Sequence, residues 1–375
     1  MEKARACLLK EPFGDFYVDE FPIPKMGPGQ MLIKIEYCGV CGTDVHSWKS
    51  DKLGLEYPIS LGHEIVGTVA ALGPDVHKDY VGKPLAIGDR VGLCPAIHCH
   101  SCYFCTIAKT PEKCLEWKTY GTWPLADQEP HFNGGYAEYL FVSDPNTVVL
   151  KMETTAERGV FLEPMAVIVH ALLHAQIKPG DTVVVQGVGP IGLLTVAAAH
   201  VCGASKIIAF GRKNKTRLEL AKKFGADEVI CSAEVTDQAE RVKLVREHSL
   251  NGVGADVVFN TVGTTTGFQE ALQYVRDSGT FVEVGNFVDS GTYPFNPCKD
   301  LLERGIKMIG SFDNEAEHFV RAIPLISDER LPLPDLITHH VGLDEVQNVL
   351  DAIATKGGVY KGVEIVKAVV DPTIK

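Results

Sequence analysis

Thr182-Val-Val-Val-Gln-Gly187-Val188-Gly189-Pro190-Ile191-Gly192 decides how this 375-residue chain is read. The run from Thr182 to Gln186 is continuously apolar, as in a strand buried on both faces of a parallel sheet. Three glycines at GxGxxG spacing follow, and Ile191 to Cys202 reads as a helix. The first glycine allows a tight turn. The second lets backbone approach a pyrophosphate, and the third lets helix and strand pack closely. Pro190 suits a first helical turn, where its missing N–H costs nothing. The helix N-terminus then turns free N–H groups toward the phosphates. An ordinary glycine-rich turn is the alternative. The strand before the turn and the helix after it favour a dinucleotide site.

The same alternation continues outward. Lys206–Phe210 reads as a strand and Lys215–Phe224 as a helix. Ala255–Asn260 and Gly279–Val284 read as strands around a helix at Gly267–Asp277, and Ile306–Phe312 as a closing strand. Such a pattern means right-handed βαβ units and a parallel sheet. Residues 1 to about 155 differ. Gln30–Tyr37, Ile65–Leu72, Gly88–Leu93 and Gly134–Val142 read as short strands with Gly/Pro punctuation, which suggests a small barrel or sandwich. Glu315–Lys375 is expected to rejoin this β-rich part. The expected fold class is α/β, with a doubly wound domain beside a β-rich one.

The length fits two domains. Apolar residues make up 45%, and no segment is long and apolar enough to span a bilayer. The net charge of -12 argues against a nucleic-acid surface. The chain opens Met-Glu-Lys-Ala-Arg, without an apolar signal segment, and carries 11 cysteines, an odd number. Both features suggest a reducing cytoplasm rather than a disulfide framework.

Four of those cysteines crowd one stretch: Cys99, Cys102, Cys105 and Cys114. CxxCxxC with a fourth Cys beyond a loop fits a closed tetrahedral thiolate cage, hence structural zinc. A ferredoxin-type cluster would want a shorter last gap and Pro after the last Cys, where Leu115 stands. His98 and His100 flank Cys99 and are expected as solvated loop histidines.

Cofactor choice turns on the end of the second strand of the doubly wound domain. An NAD site wants a carboxylate there, roughly 20 residues past the glycines, for the ribose 2′-OH. This chain has Gly211-Arg212-Lys213. Two cations and no carboxylate favour NADP(H) over NAD(H). Alternatively, Arg212 and Lys213 are a solvated loop and Asn214 meets the ribose. Val262 and Gly285, beyond two later strands, complete the expected cofactor contacts.

A second group of metal-ligand residues is dispersed: Cys38-Gly-Val-Cys41-Gly-Thr43-Asp44-Val-His46, Gly62-His63-Glu64, and Leu162-Glu163-Pro164. Cys41, His63 and a carboxylate would leave zinc an open fourth position, as catalysis requires. Cys38 and Cys41 could instead be a redox pair.

With these motifs, Gly88-Asp-Arg-Val91 and Gly134-Gly-Tyr-Ala-Glu138 in the same order, the chain resembles the zinc-dependent medium-chain dehydrogenases, the family of alcohol, sorbitol and threonine dehydrogenases. The resemblance spans nearly the whole chain. It implies a GroES-like catalytic domain from residues 1–163 and 313–375, with the zinc lobe at about 94–116, and a Rossmann domain at 164–312. It implies two Zn²⁺ per chain and an active site between the domains. Cys41, His63 and Glu163 would ligate the catalytic zinc, with Glu64 as an alternating or outer ligand and Asp44 orienting His63. Thr43 and His46 would relay the proton through the cofactor ribose.

Glu163-Pro164 stands where simple alcohol dehydrogenases usually carry Cys, so the resemblance points to a polyol, sugar or other secondary alcohol. The gap from Cys105 to Cys114 is one residue longer than the usual loop, and Gly211 departs from the acidic residue of sorbitol-type relatives. By the same resemblance, Ile306–Phe312 would pair across a two-fold axis in a homodimer or homotetramer. Competing readings are NAD-linked oxidation of threonine-like or simple alcohols, a zinc-free quinone or enone reductase, and a non-catalytic NADPH-binding protein. The pocket loops Lys49–Ile59 and Lys118–Phe132 cannot be placed from sequence, and Trp48 reads as packing or as a pocket wall.

Overall fold

A computed structural model of the chain describes residues 2–50, 55, 57–121, 130–213, 215–355 and 358–375. The chain forms two compact units. Residues 1–163, 314–329 and 333–375 make the first, and residues 164–313 and 330–332 the second.

The second unit is built on a six-stranded, wholly parallel sheet. Its spatial order is Glu228–Cys231, Lys206–Gly211, Thr182–Gln186, Ala255–Asn260, Val275–Glu283, Lys307–Gly310. Counted along the chain this is 3-2-1-4-5-6, the doubly wound Rossmann order. The order reverses between Thr182–Gln186 and Ala255–Asn260, so ligands are expected beyond the carboxyl ends of that pair. Val183, Val184 and Val185 are wholly buried, which is why this strand lacks alternation.

Three details differ from the sequence reading. The strand Glu228–Cys231 and the helix Gln238–His248 were not anticipated. The helix is mostly polar, and its Arg241 is tied to Glu270, so it carries little apolar signal. The helix expected over Gly267–Asp277 ends at Tyr274, and the strand begins at once at Val275.

The first unit holds a seven-stranded sheet. Its main path runs Ile337–Val341, Lys367–Val370, Met31–Gly39, Glu64–Leu72, Arg90–Leu93, Val149–Lys151, and Tyr139–Val142 also pairs with Met31–Gly39. The C-terminal segment therefore returns to supply two strands of this unit. Of the strand expected over Gly134–Val142, only Tyr139–Val142 forms. The glycine pair serves close approach instead. A Cβ on Gly134 would lie 2.1 Å from the Ser60 carbonyl, and one on Gly135 would lie 2.3 Å from Cys38 Sγ. Trp48 packs edge-on against Phe16 and donates its indole N–H to the Gly14 carbonyl, so the packing reading holds. Among the described residues, no helix is long and apolar enough to cross a membrane.

Candidate active site and metal centres

In the first unit, Cys99, Cys102, Cys105 and Cys114 gather, with all four sulfurs within 4.8 Å of one another. Cys102 and Cys105 Sγ are 3.5 Å apart. A tetrahedral Zn²⁺ with about 2.3 Å Zn–S bonds sets sulfurs about 3.8 Å apart, so the cage fits zinc and keeps no place for water. The backbone N–H of Cys99 donates to Cys114 Sγ, and that of Cys102 to Cys99 Sγ, both at 3.3 Å. Hydrogen bonds of this kind favour thiolate; those from Ser101 and Cys102 lower the Cys99 thiol to about 6. His98 is not solvated as expected. It is 3% exposed because the buried strand Ala96–Ile97 leads straight into it, while His100 is exposed.

The second group lies at the end of the strand Met31–Gly39. Cys41 caps the short helix Gly42–Trp48, and its N–H donates to Asp44 Oδ2 at 2.8 Å. Asp44 Oδ1 lies 3.3 Å from His63 Nδ1, and the Tyr136 hydroxyl donates to Asp44 Oδ2 at 2.8 Å. Asp44 thus joins a ring nitrogen of His63, the backbone of Cys41 and Tyr136. Burial opposes protonation of His63, but Asp44 outweighs it and holds the ring well above its ordinary value. Gly62, at φ +89°, turns the chain into His63, and a Cβ there would strike Cys38 Sγ and the Tyr136 ring.

The structure brings Cys41, His63 and Glu64 together, with ligand atoms within 4.8 Å of one another. One thiolate, one imidazole and one carboxylate suit a zinc with an open fourth position. Glu163 is not in that set of three. It stands close enough for His63 and Glu64 to act on its charge, and burial lifts its carboxyl to about 7. Sequence reasoning missed Lys367, whose ammonium ion-pairs with Glu64 Oε2 and donates to the Val40 carbonyl at 3.0 Å. Burial alone would depress Lys367, but Glu64 and Cys41 hold it above its ordinary value. Thr43 Oγ1 lies 3.5 Å from Cys41 Sγ. His46 is on the outer face of the helix, and partial burial lowers its pKa.

In the second unit, Gly189 caps the helix Pro190–Val201 and Pro190 occupies its first position. Gly187 has φ +111°, and a Cβ on Gly192 would lie 2.0 Å from the Gly187 carbonyl. Thr261 Oγ1 donates to the Gln186 carbonyl at 2.9 Å, which closes the switch point. Val262 and Gly285 are neighbours, since a Cβ on Gly285 would lie 2.4 Å from the Val262 nitrogen. Glu283 ties these loops, accepting from Gly285 N–H at 2.8 Å and Asn260 Nδ2 at 2.7 Å.

Gly211 is buried, and a Cβ would lie 2.6 Å from both Leu218 and Val188. A carboxylate has no room there. Arg212 and Lys213 are exposed beside it, and Asn214 lies outside the described residues. Arg217 was also missed. Its guanidinium lies 4.0 Å from where a Cβ on Gly189 would sit, beside the glycine turn.

Comparisons with known proteins agree with this architecture. The alcohol dehydrogenase GroES-like domain matches residues 27–153, and the zinc-binding dehydrogenase domain matches 190–328. The chain is 31% identical to 5-exo-hydroxycamphor dehydrogenase of Pseudomonas putida, over the full length of both. It is 30% identical to D-xylulose reductase A of Aspergillus niger, over 91% of each. The chain belongs to the zinc-dependent medium-chain dehydrogenases. Among solved structures, an alcohol dehydrogenase from Thermotoga maritima superposes with a TM-score of 0.91 at 29% identity, covering 99% of this chain and all of that one. A zinc-binding dehydrogenase from Sinorhizobium meliloti, solved with NADP bound, gives 0.84 at 28% identity, covering 99% of this chain and all of that one. As a medium-chain dehydrogenase, the chain is an oxidoreductase with a GroES-like domain and a Rossmann-like domain.

Proposed function

We propose that this dehydrogenase moves a hydride between NADP(H) and a secondary alcohol of the polyol or sugar class, or the corresponding ketone. The observation that carries the reading is the Cys41–His63–Glu64 set, its histidine and glutamate buried and its cysteine half-buried, with Glu163 beside it. When bound, zinc supplies Lewis acidity toward a substrate hydroxyl and the nicotinamide supplies the hydride acceptor. The chain's own residues do the rest. Asp44 Oδ1, 3.3 Å from His63 Nδ1, would orient the ring and leave Nε2 for a metal. Lys367 balances the charge of Glu64. Thr43 and His46 carry the substrate proton toward solvent, as the family resemblance implies. The four-cysteine cage holds a second, structural zinc.

NADP is favoured because Gly211 excludes a carboxylate, while Arg212 and Lys213 flank it as cations. Arg217, on the next helix, adds positive charge beside the glycine turn, where it would serve either coenzyme. The substrate class rests on the Glu163-Pro164 pair and on the polyol and secondary-alcohol names of the relatives. We place Lys307–Gly310, an edge strand of the parallel sheet, at a contact with a second copy in a homodimer or homotetramer. We place the protein in a reducing cytoplasm, in keeping with eleven cysteines of which none forms a disulfide.

A panel of polyols, sugars and secondary alcohols, assayed with NADP⁺ and NAD⁺, tests the reading. Turnover of secondary polyols, faster with NADP⁺, is expected. Oxidation of primary or threonine-like alcohols alone, or a preference for NAD⁺, would contradict it.

A further inference from the structure

We infer that Asn314 is a positioning residue for the candidate metal centre. Its side-chain amide holds Glu163 so that the carboxylate meets the Cys41–His63–Glu64 set in one orientation. This rests on the metal-centre reading above.

Asn314 is 1% exposed and Cys94, beside it, is wholly buried. Asn314 Nδ2 donates to Glu163 Oε1 at 3.0 Å. The other end of the amide is engaged as well: Asn314 Oδ1 accepts from Cys94 Sγ at 3.7 Å. A flipped amide would set its carbonyl oxygen against the carboxylate and its NH₂ against the thiol. The carboxylate, which only accepts, selects the orientation in which the amide donates to Glu163, and the thiol donor at the other end reinforces it.

The two residues are far apart in sequence but meet at special points of the chain. Glu163 is the last residue before the chain leaves the first unit, and Asn314 is the first after it returns. One hydrogen bond joins the point of departure to the point of re-entry, and one of its members is a candidate metal ligand.

The two carboxylates of the centre have different holders. Glu64 is paired with an ammonium, Lys367, which offsets its charge. Glu163 is held by a neutral amide, which fixes its direction and leaves its charge for a cation. Outer partners of metal-ligating groups typically change metal affinity by about 10- to 100-fold when removed.

The test uses full-length, zinc-loaded protein, with zinc per chain counted across a chelator titration. The visible spectrum of protein cobalt-substituted at the more labile site is recorded in parallel. Asn314→Leu removes both polar ends of the amide, and Asn314→Asp removes the donor at nearly constant shape. Both are expected to release the second zinc at about 10- to 100-fold lower chelator concentration, to keep the cage zinc, and to shift the cobalt bands. Cys94→Ala, which keeps the donor but loosens its orientation, should give a smaller shift of the same sign. If Asn314→Leu does not fold, the aspartate and alanine variants decide. Variants that retain both zincs as tightly as wild type, with unchanged cobalt bands, overturn this inference and leave the metal-centre reading standing. A wild-type protein that binds a single zinc overturns both.

Discussion

Lys367 and Glu64 form an ion pair nearly sealed from water, their side chains 3% and 2% exposed. Gly39 makes the room: a Cβ there would lie 2.0 Å from Glu64 Oε2 and 2.9 Å from Lys367 Cε. Register explains the meeting. Gly39 pairs with Glu64 on one side and Val369 on the other, so the C-terminal strand brings Lys367 over the glycine to the carboxylate.

Removing one member leaves a buried charge without compensation. Lys367→Met should lower the unfolding free energy of the metal-free protein by about 3–5 kcal/mol, measured by urea denaturation. A zinc held beside Glu64, as proposed, would offset that charge, so the loss should shrink in zinc-loaded protein. Equal losses with and without zinc would show that Glu64 faces no metal.

Asp44 serves three partners at once: His63, the Cys41 backbone and Tyr136. Tyr136→Phe removes one, a bond to a charged group, and should cost about 1.5–3 kcal/mol. Asp44→Ala releases the His63 ring as well and should weaken binding of the more labile zinc by about 10- to 100-fold. Equal zinc affinities in the two variants would remove Asp44 from its orienting role.

Cofactor preference should respond to charge beside Gly211. Arg212→Asp is expected to lower the NADP⁺/NAD⁺ ratio of kcat/KM by about ten- to a hundredfold, the worth of one charge-assisted hydrogen bond. Arg217→Met, next to the glycine turn that both coenzymes share, should raise KM for both. An unchanged ratio in Arg212→Asp would contradict the NADP reading.

The proposed proton relay carries a pH signature. If His46 takes the substrate proton, alcohol oxidation needs its ring neutral. Partial burial lowers its pKa, so the neutral form persists below the ordinary imidazole value of 6.5. The acid limb of kcat should therefore fall below that pH, with rate lost as pH drops through it. His46→Gln should slow oxidation by roughly 10²-fold and abolish this limb. A pH profile identical to wild type would leave His46 a bystander.

How much of this was legible in the sequence follows from the range of each signal. The dinucleotide turn is local: Thr182–Gln186, the glycines and Pro190 are contiguous, and their conformations follow from residue type. The cysteine cage is nearly as compact. Lys367 was not legible, since its role depends on strand pairing across more than three hundred residues. Asn314 was missed because its partners Glu163 and Cys94 lie 151 and 220 residues away, which leaves no local signal. Arg217 follows Gly211 by six residues, but only the packing of its helix shows that it faces the glycine turn. His98 was misread because a histidine beside cysteines looks like loop, while the preceding Ala96–Ile97 pulls it into the core. The Gly134–Gly135 pair was misread as a strand entry because close backbone approach leaves no periodic signal.

Catalysis as proposed depends on Cys41 holding a metal that the four-cysteine cage does not. The most direct measurement is zinc per chain in wild type and in Cys41→Ser, with turnover recorded on the same samples. Two zincs are expected in active wild type. The variant should keep one, bind NADPH normally and turn over no alcohol. Equal zinc content in the two proteins, or undiminished turnover by the variant, would contradict the account.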